Sequence, residues 1–344
     1  MKSIIKKTPR ISKPLLSIGL TTYNRPDFLK QSVNSILNQS FQNFELLISN
    51  DYQDAIVSFR SLGIPFDPRI KIINQRFNLG EYGNLNFLLK ISSGHWFIWM
   101  GDDDLFDPNF LSFVFREIRT NKKSIGFFSN YIAANDPSEI FPIKYNLIRF
   151  NSYNAKNFLS GYTSKKIPLI GIYGVIKTSA LKKIGGMKTL GNSFSPYGDT
   201  LIPILLSEYG LISWTSEPLV FLRTHADSMS CKSLDFVAYT SAERDFINAL
   251  VRVCSSVGLA DYSRHYILNM IYWFMVDEWA VLNRNPSLNF YSICKIFTAH
   301  QIKVNFFRLK YIQRLWFSFF LFIFFSKCIV KRIGKFFFSA KRFF

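Results

Sequence analysis

The chain has 344 residues, 48% of them hydrophobic and 17% aromatic, with a formal net charge of +19. That composition excludes global disorder and leaves room for one large domain with an appendage, or for two domains. No acidic residue follows Glu278 and the last 66 residues hold 12 Lys or Arg, so the first 278 are only mildly basic at +7, which argues against a nucleic-acid-binding protein with a charged groove on its folded domain.

Leu15 to Leu20 reads as a short apolar strand. Pro26-Asp27 opens a helix whose face carries Phe28, Leu29, Val33, Ile36 and Leu37. Phe44 to Ile48 is a second strand ending at Asn50-Asp51, and Arg69 to Ile73 a third. Tyr82 to Ile91 is a helix, Trp96 to Met100 a wholly apolar strand, Phe110 to Ile118 a helix and Ile125 to Phe128 a strand. Phe141 to Lys166 reads as loop-rich, and Pro168 argues against a central strand starting before Leu169. Ser179 is expected to cap Ala180 to Ile184, with Gly185-Gly186 ending that helix. Asp199 stands at the start of a helix through Leu206, Leu211 to Trp214 and Leu219 to Leu222 read as two strands, and Phe236 to Phe297 looks helical. Apolar strands alternating with helix-length segments predict an α/β fold, a mainly parallel sheet flanked by helices.

Three consecutive carboxylates, Asp102 to Asp104, emerge directly from the apolar strand Trp96 to Met100. Like charges this close raise one another's pKa, and a proton or a cation relieves the repulsion. Hard oxygen ligands at such a point suit Mg2+ or Mn2+ holding phosphate oxygens. Thr21 to Arg25, Asn50-Asp51 and Asp102 to Asp104 all follow the carboxyl ends of their strands, where open α/β sheets bind ligands. Neither a G-x-G-x-x-G fingerprint nor a Walker A sequence is present to cradle phosphates. A sugar-phosphate nucleotidyltransferase would be expected to show a glycine- and basic-rich phosphate loop where this chain has TTYNRP. Cys231, Cys254, Cys294 and Cys328 are too widely spaced for a zinc site or a dense disulfide scaffold, which fits a reducing compartment. The apolar stretch Pro14 to Leu20 is too short for a signal peptide.

Four segments in order, LLSIGLTTYNRPDFLKQSVNSILNQSFQNFELLISND, NQRFNLGEYGNLNFLLKISSGHWFIWMGDDDLFDP, GIYGVIKTSALKKIGG and YGDTLIPILLSEYGLISWTSEPLVFLRTHADSMS, resemble family 2 of the glycosyltransferases over residues 14 to 230. The resemblance implies a GT-A fold, an inverting mechanism and a nucleotide-diphosphate sugar donor. By that resemblance Thr21, Tyr23 and Arg25 line the nucleotide pocket and Asp51 holds base or ribose. Asn78, a loop-fixing asparagine by residue type, is counted with these donor-binding residues. Asp102 and Asp104 face the ribose and a Mn2+ or Mg2+ ion, Asp103 belongs to the donor-binding set, Asp199 falls at the catalytic base, and Arg223 and His225 lie near the diphosphate, His225 as a metal ligand. The family motif aligns with Asp102 and Asp104 or with Gly101 and Asp103, and Asp104, beside the turn into Leu105, is the preferred metal ligand. Asn50 stands where the family often carries a second acid, which leaves room for a catalytically inactive member acting as a scaffold.

These readings divide the chain into a catalytic domain over 1–230, a helical extension over 231–300 and a tail over 301–344. In the tail, Leu315 to Ser326 is apolar but too short to span a bilayer, and Lys331, Arg332, Lys335, Lys341 and Arg342 interleave with Phe336 to Phe338, Phe343 and Phe344. Such a basic aromatic segment is expected to lie on an anionic membrane surface, at the cytoplasmic face of the plasma membrane, beside a glycan or lipid-linked acceptor.

Overall fold

The computed structural model describes residues 13–136, 145, 148–191, 196–225 and 236–284. The chain divides into a unit over Met1–Glu278 and a second over Trp279–Phe344, and the architecture below is that of the first. The basic aromatic tail, the helical reading beyond residue 284, and Cys231, Cys294 and Cys328 lie outside the described residues. Among the described residues no helix is long and apolar enough to cross a membrane.

The elements follow in the order β1 (Leu16–Thr22), α1 (Pro26–Leu37), β2 (Phe44–Asn50), α2 (Phe59–Leu62), β3 (Ile70–Asn74), α3 (Gly80–Ile91), β4 (Trp96–Met100) and β5 (Leu105–Phe106). Next come α4 (Phe110–Thr120), β6 (Ser124–Ala134), β7 (Asn151–Tyr153), α5 (Ala155–Thr163), β8 (Val175–Lys177), α6 (Thr178–Ile184), α7 (Gly198–Leu206) and β9 (Leu211–Arg223). Two long helices, α8 (Phe236–Ser256) and α9 (Ser263–Arg284), complete the described chain. The nine strands form one sheet in the order β3-β2-β1-β4-β8-β6-β9-β5, with β7 paired to β9. Its long pairings are parallel, β1 with β2 and β4, β2 with β3, and β6 with β9. The antiparallel ones are short, two or three residues each, so the sheet is mixed.

All five residues of β4 are buried because both faces of the sheet are covered. Ile98 and Met100 pack with Leu29, Val33 and Ile36 of α1 and Val114 of α4 in one core. Trp99 alternates to the other face, where its indole Nε1 donates to the Leu85 carbonyl of α3 at 2.9 Å. At about 25 cal/mol per Å2 of apolar area removed from water, aromatic side chains such as Trp99 and Phe97 dominate this layer.

Several local expectations change. The stretch read as loop-rich contains α5, capped by the Asn154 side chain, which accepts from the Asn157 amide at 3.0 Å. Its face Phe158, Leu159 and Tyr162 is buried. Ser179 does not cap α6, which begins one residue before it with no side-chain cap. The glycine stop does hold, because Gly185 adopts φ +79° after the last turn. The two short strands before Arg223 are one continuous strand, β9, whose pairing with β6 shifts register around Asn130 opposite Pro218. That irregularity absorbs the proline without ending the strand.

The 3-10 turn Gly171–Tyr173 lies against α7, and a Cβ on Gly171 would sit 1.8 Å from the Asp199 carbonyl oxygen. Gly171→Ala is therefore expected to cost about 1–3 kcal/mol through forced displacement of the first turn of α7. Denaturant unfolding measures it. Unchanged stability would mean that this contact does not clamp the helix.

Candidate functional site

The site is built at the carboxyl ends of β1, β2 and β4. Thr21, Tyr23, Arg25, Asp51, Asn78, Asp102 and Asp103 line one cleft of about 370 Å3, together with Glu81, Asn84, Ile172 and Tyr173. A volume of that size suits a small-molecule ligand. Asp104, Arg223 and His225 support the aspartate turn from the side. Asp199 adjoins the cleft through two neighbours that line it, Glu81, which it repels electrostatically, and the turn ending in Tyr173.

Each carboxylate of the triplet is met by donors from distant segments. Asp102, buried, accepts from Thr22 Oγ1 at 2.7 Å, from the Tyr23 amide at 3.3 Å and from Arg25 Nη1 at 3.1 Å. Asp103 is the least buried of the three, and its Oδ2 takes Arg25 Nη1 at 2.9 Å and faces His225 Nε2 at 3.0 Å. Asp104 is turned inward, where it accepts from the Tyr173 hydroxyl and, at 2.9 Å, from the Arg223 amide. Ser32, on the buried face of α1, lies 2.8 and 2.7 Å from the carbonyls of Asp102 and Asp104, and its single hydroxyl proton is shared between them. Arg223 is occupied in holding this turn. Its Nε donates to the Asp103 carbonyl at 3.0 Å, its Nη2 to Gln31 at 2.6 Å, and its guanidinium lies 4.7 Å from the Phe28 ring centroid. The other side of Phe28's neighbourhood is the His225 ring, at 5.0 Å between centroids.

Burial raises the pKa of Asp102, opposed by the Thr22 hydrogen bond. Burial, then the charge of Asp103, pushes Asp104 up to about 7. Glu81 keeps a solvent-exposed surface in the open cleft, but protein encloses it on the remaining sides and Asp199 and Asp103 repel its charge, which pushes it up to about 7. Burial also raises Asp199, against a hydrogen bond from the Thr200 amide at 2.8 Å. Non-glycine residues in the left-handed region, Asn24 (φ +54°) and Tyr197 (φ +72°), stand on both sides of the site. Each is held there at a cost of about 1 kcal/mol or more.

Asp51 accepts the Leu79 amide on both oxygens, at 2.8 and 3.0 Å, and Asn78 Oδ1 accepts the Gly80 amide at 2.7 Å, so these two shape the entry to α3. Asn50 has a structural task. Its amide nitrogen reaches the carbonyls of Tyr52 (3.0 Å) and Ala55 (2.7 Å) and the Asn74 Oδ1 (2.9 Å). A carboxylate there would face three oxygens, which accounts for the absence of a second acid. Tyr173, Glu81, Ser32 and Phe28 were not singled out as site residues from sequence. For Tyr173 the available signal was its place between Gly171 and Gly174 in a segment otherwise apolar.

Among the described residues no three His, Cys, Asp or Glu side chains gather as a ready metal cluster. The pair nearest to such a site is Asp103 with His225, one carboxylate and one imidazole in contact, with Asp104 committed to Tyr173 and Arg223. That donor set fits a cation that takes most of its ligands from phosphates and water, as Mg2+ does at nucleotide sites.

Residues 17–184 match the family model Glycosyl transferase family 2. A Haemophilus influenzae protein named as a glycosyltransferase is 33% identical over 109 residues, 31% of this chain and 34% of its own length. A second from the same organism is 24% identical over 282 residues, 82% of this chain and 90% of its own. The Escherichia coli UDP-Glc:alpha-D-GlcNAc-diphosphoundecaprenol beta-1,3-glucosyltransferase is 30% identical over 124 residues, 36% of this chain and 48% of its own. The chain thus spans about a third, nine-tenths and about half of these three relatives. Among solved structures, S. aureus TarS 1-349 superposes with a TM-score of 0.57 over 84% of this chain and 80% of its own, at 13% identity, a likeness of fold. The same TarS fragment is also solved in complex with UDP-GlcNAc.

Asp104 gives a pH signature. Its folded pKa of about 7 lies above the ordinary carboxylate value of 3.8, so the folded state holds the extra proton between those two values. Its contribution to stability is therefore lost as pH rises through that window. Asp104→Asn is expected to melt higher relative to wild type at pH 8 than at pH 5. A melting difference that is the same at both values would contradict the assignment.

Proposed function

Since the chain belongs to glycosyl transferase family 2 and has the GT-A fold, we propose that it transfers a sugar, with inversion and metal assistance, from a nucleotide-diphosphate sugar to a hydroxyl of a glycan or lipid-linked acceptor. The observation that carries this reading is the aspartate turn, locked to the Thr21–Arg25 loop on one wall of a ligand-sized cleft, where Glu81 feels the charge of both Asp103 and Asp199.

The nucleotide occupies the wall formed by Thr21, Tyr23, Asp51 and Asn78. Tyr23, half exposed and edge-on to Tyr52 at 5.2 Å, offers a ring beside the base. Arg25 sits between Asp102 and Asp103 with its guanidinium ready to meet phosphate oxygens. Mn2+ or Mg2+, held by Asp103 and His225 together with the diphosphate, would supply Lewis-acid stabilisation of the leaving charge. Asp104 works behind this, fixing the turn through Tyr173 and Arg223.

Inversion requires one in-line displacement at the anomeric carbon, with a base on the acceptor side to take the hydroxyl proton. Asp199 fills that role. Burial raises its proton affinity and makes it a better base than an exposed carboxylate, while the Thr200 amide fixes one of its oxygens. Glu81, partly protonated near neutrality, adds little charge to oppose the anionic donor.

A role in surface-polysaccharide synthesis is supported by the activities two relatives are named for. One is the E. coli glucosyltransferase above, and the other is a putative colanic acid biosynthesis glycosyl transferase of E. coli K12, 29% identical over 102 residues. The basic aromatic tail would hold the enzyme peripherally at the cytoplasmic face of the plasma membrane.

Asp199→Asn is expected to lower turnover about a hundredfold or more, with nucleotide affinity near wild type. Steady-state transfer assays with a panel of UDP-, GDP- and dTDP-sugars measure it. Turnover within a few-fold of wild type would remove Asp199 from the role of base. Membrane fractionation is expected to find the full chain sedimenting in low salt and partly released in high salt. Full solubility in both would end the proposal of a membrane-seated tail.

A further inference from the structure

At the opposite end of β4 from the aspartates lies a second cavity, of about 400 Å3, that the transfer reaction does not use. Its floor is apolar: Trp96 and Phe115 are each 4% exposed, and Phe41 stacks on Phe115 with centroids 4.0 Å apart and ring planes within 4°. Its rim is basic. Arg119 and Lys122, on and just past the end of α4, are exposed, and Lys177, ending β8, reaches over Trp96 with its Nζ 5.8 Å from the ring centroid. Among the described residues, no acidic side chain lines the cavity. Glu45, the acid at the start of β2, is committed to Ser17, Ser93 and the Ser93 amide.

Three cations around an aromatic floor select a ligand with an acidic head and an apolar body. The two ends of the chain are poor occupants on charge grounds. Residues 1–12, which lead into β1 beside this cavity, carry Lys2, Lys6, Lys7 and Arg10 with no acid, and residues 285–344 are basic throughout. Their like charge would oppose entry past a basic rim and favour an anionic surface, which would also supply such a ligand.

We propose that this cavity binds an acidic phospholipid, its phosphate held by Arg119, Lys122 and Lys177 and the start of its acyl chains lying on Trp96 and the Phe41–Phe115 stack. It does not depend on the transfer reaction assigned to the other end of the sheet. Its placement would seat the amino end of β4 on an anionic bilayer and leave the donor cleft on the far side.

Calorimetric titration of the full chain with dihexanoyl-phosphatidylglycerol, below its micelle concentration, tests this directly. Saturable binding is expected, with dihexanoyl-phosphatidylcholine and glycerol phosphate each at least about tenfold weaker. The variant R119E/K122E/K177E should lose the acidic lipid by about tenfold or more while keeping its nucleotide-induced rise in melting temperature, which reports an intact fold. Should that variant fail to fold, R119Q/K122Q replaces it, with a smaller loss in the same direction. Equal binding of the zwitterionic lipid would reduce the cavity to an uncharged apolar groove. Equal binding of glycerol phosphate would make it a site for free anions, and unchanged binding by a folded variant would place the lipid elsewhere. Each of those three results overturns the proposal.

Discussion

Three adjacent carboxylates at the end of a fully buried strand repel one another, and the surrounding structure is arranged to contain that repulsion. Donors to the turn come from β1 and its following loop, from α1, from the 3-10 turn at Tyr173, and from Arg223 at the end of β9 and His225 just beyond it. Those segments lie about 70 to 120 residues away along the chain. The triplet therefore binds the two halves of the domain to each other, and the sheet order that places β9 beside β5 is what brings Arg223 within reach.

Containment is unequal, and the inequality assigns roles. Asp104 is buried, with both oxygens met by Tyr173 and the Arg223 amide. Asp102 is buried too, one oxygen held by Thr22 and the Tyr23 amide and the other by Arg25. Asp103, the least buried, shares one oxygen between that same arginine and the His225 imidazole. A cation and a diphosphate entering the cleft would meet Asp103 first. Arg25 would then exchange a carboxylate for a phosphate at little cost, since both accept the same guanidinium geometry. The remaining carboxylates keep the turn in place during that exchange.

The aspartate turn, the Thr21–Arg25 loop and Asp51 were legible in the sequence because each follows an apolar strand whose period is plain. The strand β4 was read with its observed boundaries for the same reason. Asp199 was visible as an acid in the first turn of an apolar helix. The inward turn of Asp104 was not legible, since it depends on the Tyr173 hydroxyl arriving from a 3-10 turn about 70 residues on. Ser32 looked like an ordinary polar residue of a helix, and only the packing of α1 under β4 makes it a ligand of the aspartate carbonyls. The single strand β9 read as two because Ser216, Glu217 and Pro218 interrupt its apolar pattern, and α5 was hidden by the polar residues that surround Phe158 and Leu159.

The most direct test of the account is the affinity of nucleoside diphosphates, measured by calorimetry with and without Mn2+ in the wild-type chain and in Asp103→Asn. The wild type should bind one nucleoside diphosphate at least about tenfold more tightly with Mn2+ present, and Asp103→Asn should lose that gain while keeping the weaker metal-free binding. Affinity indifferent to Mn2+ in the wild type, or a full metal effect retained in Asp103→Asn, would contradict a diphosphate gripped through a cation at this turn.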